Sequence, residues 1–209
     1  MRIGLDFDNT IVCYDALFHS IGVERCLITR ETTPSKRAVR DLVRRLPDGE
    51  YHWQRLQAEV YGPRVADATP FPGLIEFLLA GSACGVNFFI VSHKGQFAAL
   101  DTGCHHNLVA AANDWLNVHK IVSASGPIRA GDIYFEPSRR DKISRIARLA
   151  CDVFVDDLEE TFVEPGFPTT TRALLFDPCA PAIMRQTEPR VAVCRSWSEV
   201  AAKLLVNVT

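Results

Sequence analysis

No stretch of this 209-residue chain stays apolar for the roughly 18 residues that a membrane-spanning helix needs. The chain opens directly on a short apolar run and its acids, so no signal peptide is expected. It has no internal repeat and no low-complexity segment. An excess of one charge is missing too: 23 Lys and Arg stand against 25 Asp and Glu, and a net charge of −2 leaves no electrostatic footprint for a nucleic acid or a membrane surface. A glycine-rich fingerprint after the first strand is absent, which excludes a dinucleotide-cofactor domain. The seven cysteines (Cys13, Cys26, Cys84, Cys104, Cys151, Cys179, Cys194) are odd in number, scattered, and mostly set in apolar stretches. They predict reduced core thiols in a cytoplasmic protein rather than a disulfide framework. Cys104-His105-His106 has no second ligand cluster at zinc-like spacing, and adjacent helix residues face different ways, so it reads as surface.

What is present begins at the first residues. A short apolar run, Ile3 to Phe7, delivers two carboxylates, Asp6 within it and Asp8 just after it, with Thr10 two places further on. Strand side chains alternate faces, so Asp6 and Asp8 are expected on one side as the strand runs out. A run this apolar fits a strand buried on both faces in a parallel sheet. Two acids at its end are costly to bury without a cation or donors, and Mg²⁺ suits carboxylate oxygens while keeping positions for water and phosphate.

From Cys13 to about Ala68 the pattern turns helical. Ala16, Leu17, Phe18 and Ile21 suggest one helix. Thr33-Pro34 reads as a cap and first-turn proline ahead of a stripe of Ala38, Val39, Leu42, Val43 and Leu46, stopped by Pro47-Asp48-Gly49. A third helix carries Trp53, Leu56 and Val60 and stops at Gly62-Pro63. Arg37, Arg40, Arg44 and Arg45 fill the other faces of the second helix, as a solvated polar face would. Trp53 is expected in the core of this segment.

The α/β rhythm resumes at Pro70 to Gly73, a turn into an apolar helix from Leu74 to about Ala80. A buried strand, Val86 to Val91, ends in Ser92-His93-Lys94. Two helical stretches follow, the second with Leu108, Val109, Ala112, Trp115 and Leu116. Ile133 to Phe135 is a short strand candidate, and Ser138 opens a helix with Asp141 as capping partner. Val153 to Val155 is a strand running into Asp156-Asp157; Leu174 to Phe176 and Val191 to Val193 are two more, and Ser196 to Leu205 closes the chain with an amphipathic helix. Strands alternating with helices predict a doubly wound, mostly parallel α/β sheet.

In open α/β sheets ligands bind beyond the carboxyl ends of the strands. Three strands end there in Asp6/Asp8, Ser92 and Asp156/Asp157. A crossover helix runs back antiparallel, so Lys142 in the first turn of the helix from Ser138 is placed to reach the same edge; Arg139, Arg140 and Lys120 are alternatives for that cation. Each piece also has a plainer reading: Ser92 opening a turn, Lys142 on a helix surface, Asp156-Asp157 capping the next helix.

Taken in order, Asp6-Phe-Asp8-Asn-Thr10, Ser92, Lys142 and Asp156-Asp157 resemble the four motifs of the haloacid dehalogenase-like (HAD) phosphohydrolase superfamily. The resemblance spans roughly residues 1–12 and 69–160. It implies a Rossmann-like core of residues 1–12 and 69–209 with a small inserted α-helical cap at 13–68. It further implies Mg²⁺-dependent hydrolysis of a small phosphorylated metabolite, with catalytic roles for Asp6 as nucleophile, Asp8 as acid and base, Ser92 as donor to the phosphoryl group and Lys142 as its counter-charge. Asp6, Asp8 (through its backbone carbonyl) and the fourth-motif acids Asp156 and Asp157 would hold the metal, with Asp157 favoured as the direct ligand and Asp156 close by. Asn9, Thr10, His93 and Lys94 adjoin these residues, as substrate contacts or, for His93 and Lys94, as an exposed loop. Family dehalogenases generally lack the second acid, so Asp8 favours phosphate-ester hydrolysis over carbon–halogen cleavage. The expected partner is a small-molecule phosphate ester, not a nucleic acid or a membrane. The alternative is a regulatory module that binds metal or phosphate without turnover. A phosphonatase-type activity would need a cap lysine, and Lys36 on a charged helix face is a poor candidate.

Overall fold

The computed structural model describes residues 1–97, 106–180 and 190–205. Two compact units make up the chain: one of residues 1–11, 70–94 and 117–209, the other of residues 12–69 and 95–116.

The first unit is built on strands β1 (Arg2–Leu5), β4 (Asn87–His93), β5 (Ile133–Glu136), β6 (Val153–Asp156), β7 (Arg172–Phe176) and β8 (Val191–Cys194). Their order is β5-β4-β1-β6-β7-β8, and every neighbouring pair is parallel. Five consecutive residues of β4 are buried, which an all-parallel sheet covered on both faces requires. Alternation along β4 shows the two faces. Phe89 and Val91 join Ile143 and Ile146 of helix α6 (Arg139–Arg148) together with Phe154. Phe88, one residue earlier, points the other way, its ring 5.4 Å from Phe77 on helix α4 (Leu74–Ala83). Phe77 in turn lies 5.1 Å from Trp197 of α8 (Trp197–Leu204), which also packs on Phe176. Helices thus cover both faces, and the sheet is doubly wound.

Local chemistry sets the helix starts. Ser138 Oγ accepts from the amide of Asp141 at 3.1 Å, and Ser196 Oγ from that of Glu199 at 3.2 Å. Helix α4 runs three residues past the expected end near Ala80, through Gly81, where a Cβ would lie 2.5 Å from the Phe88 ring. A five-residue helix, α7 (Glu159–Val163), follows β6.

The second unit holds α1 (Asp15–Glu24), α2 (Lys36–Val43), α3 (Gly49–Tyr61) and most of α5 (Leu108–Val118). A short ribbon pairs β2 (Val12–Cys13) with β3 (Thr69–Pro70). Its core is aromatic: Phe18 stacks on Trp53 at 5.0 Å and meets Tyr61 edge-on at 5.6 Å, while Tyr14 meets Tyr61 at 4.9 Å. Helix α2 starts later than Thr33-Pro34 suggests. Ser35 is the cap, and Asp15 Oδ1 accepts from the Lys36 amide at 2.7 Å, a contact from α1 that fixes the first turn. Its buried stripe narrows to Val39 and Val43, Leu42 being exposed. The arginine face carries surface pairs, Arg40 with Asp41 and Arg44 with Glu50. Lys36 is not set among charges alone, since its ammonium lies 5.9 Å from the Phe18 ring and 5.7 Å from that of Tyr61.

The expected core thiols are found only in part: Cys151 and Cys194 are buried, whereas Cys26 and Cys179 are exposed. Cys104, His105 and most of the helical stretch expected ahead of Leu108 lie outside the described residues. Among the described residues, no helix is long and apolar enough to cross a membrane.

Candidate active site

Parallel pairing of β1 with β6 brings two acids together at the carboxyl edge. The Asp6 amide continues the ladder, donating to the Val155 carbonyl at 2.9 Å, so Asp6 stands beside Asp156. Both are buried, Asp6 at 5% exposure and Asp156 at 0%. The sheet's other neighbour, β4, ends at the same edge with Ser92 buried and His93 exposed.

The cation between the two acids comes from α6. Lys142 Nζ lies 2.5 Å from Asp6 Oδ1 and 2.7 Å from Asp156 Oδ2. Asp156 Oδ1 accepts from the Leu158 amide at 2.9 Å, so both of its oxygens are engaged. Arg139, weighed above for the same position, lies instead 3.8 Å from Glu164. Burial pushes the Asp6 carboxyl up to about 6; Lys142 opposes this, while Asp156 and Asp8 add to it. Lys142, although burial works against its charge, is held protonated by the two carboxylates.

Phe7 between the acids is buried, its ring edge-on to Phe135 of β5 at 5.5 Å. Asn9 takes a left-handed backbone (φ 58°), which asparagine tolerates, and the turn closes with the Ile11 amide on the Phe7 carbonyl. Thr10 is fully buried: its carbonyl accepts from Trp197 Nε1 at 3.2 Å, while its hydroxyl finds no partner among the described residues.

Asp8 meets a different cation. Lys94 Nζ lies 2.8 Å and 3.1 Å from its two carboxylate oxygens. Sequence reasoning, which saw a lysine beyond a strand, had no signal for this pair. Nor did it find Glu136, whose carbonyl accepts from the Lys94 amide and whose carboxylate accepts from Arg145 Nε at 2.6 Å.

Asp6, Asp156 and Asp157 each offer a carboxylate oxygen, all within 4.8 Å of one another. Ligands about 2.0–2.1 Å from a Mg²⁺ ion stand roughly 4 Å apart across it, so an all-oxygen set with this spread fits such a cation.

No family model matches the chain, and no curated protein is significantly similar to it. Solved structures do match along nearly its whole length. A dehalogenase with an intermediate complex superposes with a TM-score of 0.57 at 14% identity, over 99% of this chain and 97% of that one. A HAD family hydrolase from Deinococcus radiodurans with bound phosphate and sodium gives 0.54 at 17% identity, over 99% and 96%. A putative HAD hydrolase from Bacillus subtilis bound to magnesium gives 0.51 at 12%, over 97% of each. The fold is HAD-like.

Proposed function

We propose that the chain is a hydrolase, and more narrowly a Mg²⁺-dependent phosphatase acting on a small phosphorylated metabolite through an aspartyl-phosphate on Asp6. The observation that carries this reading is the charged cluster at the carboxyl edge: Lys142 between Asp6 and Asp156, with Asp8 two residues on. In this reading Asp6 attacks phosphorus and the bond to the leaving oxygen breaks, that oxygen taking a proton from the Asp8 carboxyl. Asp8, now a carboxylate, accepts a proton from water as the water oxygen attacks phosphorus, and the bond to Asp6 breaks to release inorganic phosphate. Lys142 holds Asp6 in place and offsets charge on the transferring group, and Ser92 donates to a phosphoryl oxygen. Asp6, the Asp8 carbonyl and Asp157, with Asp156 behind it, would hold Mg²⁺, which supplies electrostatic stabilisation of the phosphoryl oxygens when bound. Asn9, Thr10 and His93 adjoin the substrate position. The protein would work in the cytoplasm on a small-molecule ester, with residues 13–68 as the cap of a core formed by 1–12 and 69–209.

Carbon–halogen cleavage is the second reading, since a dehalogenase shares the fold. Asp8 favours the phosphatase, because a leaving alkoxide needs a proton and a halide does not. Phosphate release from an aryl phosphate, with Mg²⁺ and with chelator, tests the choice in wild type and Asp6→Asn. Metal-dependent turnover lost in Asp6→Asn is expected. Chloride release from a short 2-chloroalkanoic acid, with no phosphate release from any ester, would replace the reading.

A further inference from the structure

Asp6 and Asp8 stand two residues apart, yet separate lysines hold them. Lys142 takes Asp6 and Asp156; Lys94 takes both oxygens of Asp8. A lysine beyond a strand end ordinarily extends into water, because burying an ammonium is expensive. Lys94 does the opposite: its side chain is 4% exposed, against 22% for that of Asp8. Two further contacts fix its direction. Its amide is tied to the Glu136 carbonyl at 2.9 Å, and its ammonium lies 5.3 Å from the Phe7 ring as well as on Asp8. The Glu136 side chain that follows is itself held by Arg145. Phe7, between the two acids, rests on Phe135, the residue before Glu136. The end of β5 thereby supports both Lys94 and the segment that carries Asp8.

We infer that Lys94 is a positioning residue for Asp8, its buried ammonium fixing the acid–base carboxyl beside the nucleophile rather than contacting the phosphoryl group. The inference rests on the acid–base role proposed for Asp8. A carboxyl that gives a proton to one oxygen and later takes one from another must stand at the same point in both steps. A side chain with two free torsions does not do so unaided, and displacement by about 1 Å costs on the order of 10²-fold in rate.

The experiment compares wild type, Lys94→Met, Asp8→Asn and the double variant on aryl and alkyl phosphates of graded leaving-group basicity. Leaving-group protonation matters most for alkyl esters, so kcat/KM in Lys94→Met is expected to fall on the order of 10²-fold for these and far less for a nitrophenyl ester. KM should change little. Because Lys94 acts through Asp8, adding Lys94→Met to Asp8→Asn should change kcat/KM by no more than about twofold. Equal losses on every ester, or additive losses in the double variant, would overturn the inference in favour of direct substrate contact. Crystal structures of wild type and Lys94→Met supply a readout that needs no turnover: the Asp8 carboxyl moves in the variant, or the inference fails. If Lys94→Met does not fold, Lys94→Gln serves in the same arms. A wild type inactive on every ester would remove the phosphatase reading, while the Asp8 position would still decide whether Lys94 holds it.

Discussion

Lys142 and Asp6 are 136 residues apart in the chain, and their Nζ and Oδ1 atoms are 2.5 Å apart in the fold. The same ammonium meets Asp156, so one cation keeps two buried carboxylates from facing each other unscreened. Removing one member of a buried ion pair leaves an uncompensated charge, typically costing about 3–5 kcal/mol. Urea denaturation of Lys142→Met in chelator should therefore show a loss of about 3 kcal/mol, partly recovered with Mg²⁺, which can take over the carboxylates. A variant as stable as wild type in chelator would show that the pair contributes nothing net.

Burial raises the Asp6 carboxyl from 3.8 to about 6, and the sign of the resulting pH dependence is fixed. The folded state binds this proton more tightly than the unfolded chain, so its contribution is full below about pH 4 and is lost as pH rises through about 6. The gap is worth about 3 kcal/mol at 1.36 kcal/mol per pH unit. Asp6→Asn carries no such proton. Measured in chelator, its stability relative to wild type should improve by roughly that amount between about pH 4 and pH 7. A difference independent of pH would contradict the assignment. Turnover by wild type should decline on the acid side as Asp6 becomes protonated, since the neutral carboxyl is no nucleophile.

Local patterns made the frame legible. The apolar runs of β1, β4 and β6 predict buried parallel strands, and parallel geometry alone carries their polar ends to one edge. Ser138 and Asp141 announced α6, and a first-turn position put Lys142 within reach of the acids. Distant contacts decided what the sequence left open. The start of α2 depends on Asp15, 21 residues before Lys36. The inward turn of Lys94 depends on Asp8, 86 residues away, and no local pattern distinguishes it from a solvated loop lysine.

Gly81, just past the expected helix end near Ala80, is a packing residue inside α4. Alanine is ordinarily the better helix former, by about 1 kcal/mol in an exposed interior. Here its Cβ would meet Phe88 Cζ at 2.5 Å, and that ring is buried against Phe77. Overpacking typically costs about 1–3 kcal/mol, so Gly81→Ala should lower stability despite its propensity. In a Phe88→Leu background the same substitution should cost less, and the denaturation midpoints of the four proteins measure that coupling. Equal costs in both backgrounds would place the strain elsewhere.

Trp197 ties the closing helix to the loop that follows the first two acids. Its Nε1 donates to the Thr10 carbonyl at 3.2 Å, and its ring is buried between Phe77 and Phe176. Trp197→Phe keeps an aromatic ring in that slot and removes the donor, leaving a buried carbonyl unsatisfied at a cost of about 1–3 kcal/mol. Thr10 lies two residues after Asp8, so the loss should be felt locally as well as globally. Amide hydrogen exchange in residues 8–12 should accelerate by more than the change in global stability accounts for, while exchange in β7 follows the global change alone. Uniform acceleration at both places would mean that Trp197 acts only through core volume, and that the Thr10 hydrogen bond does not anchor the loop.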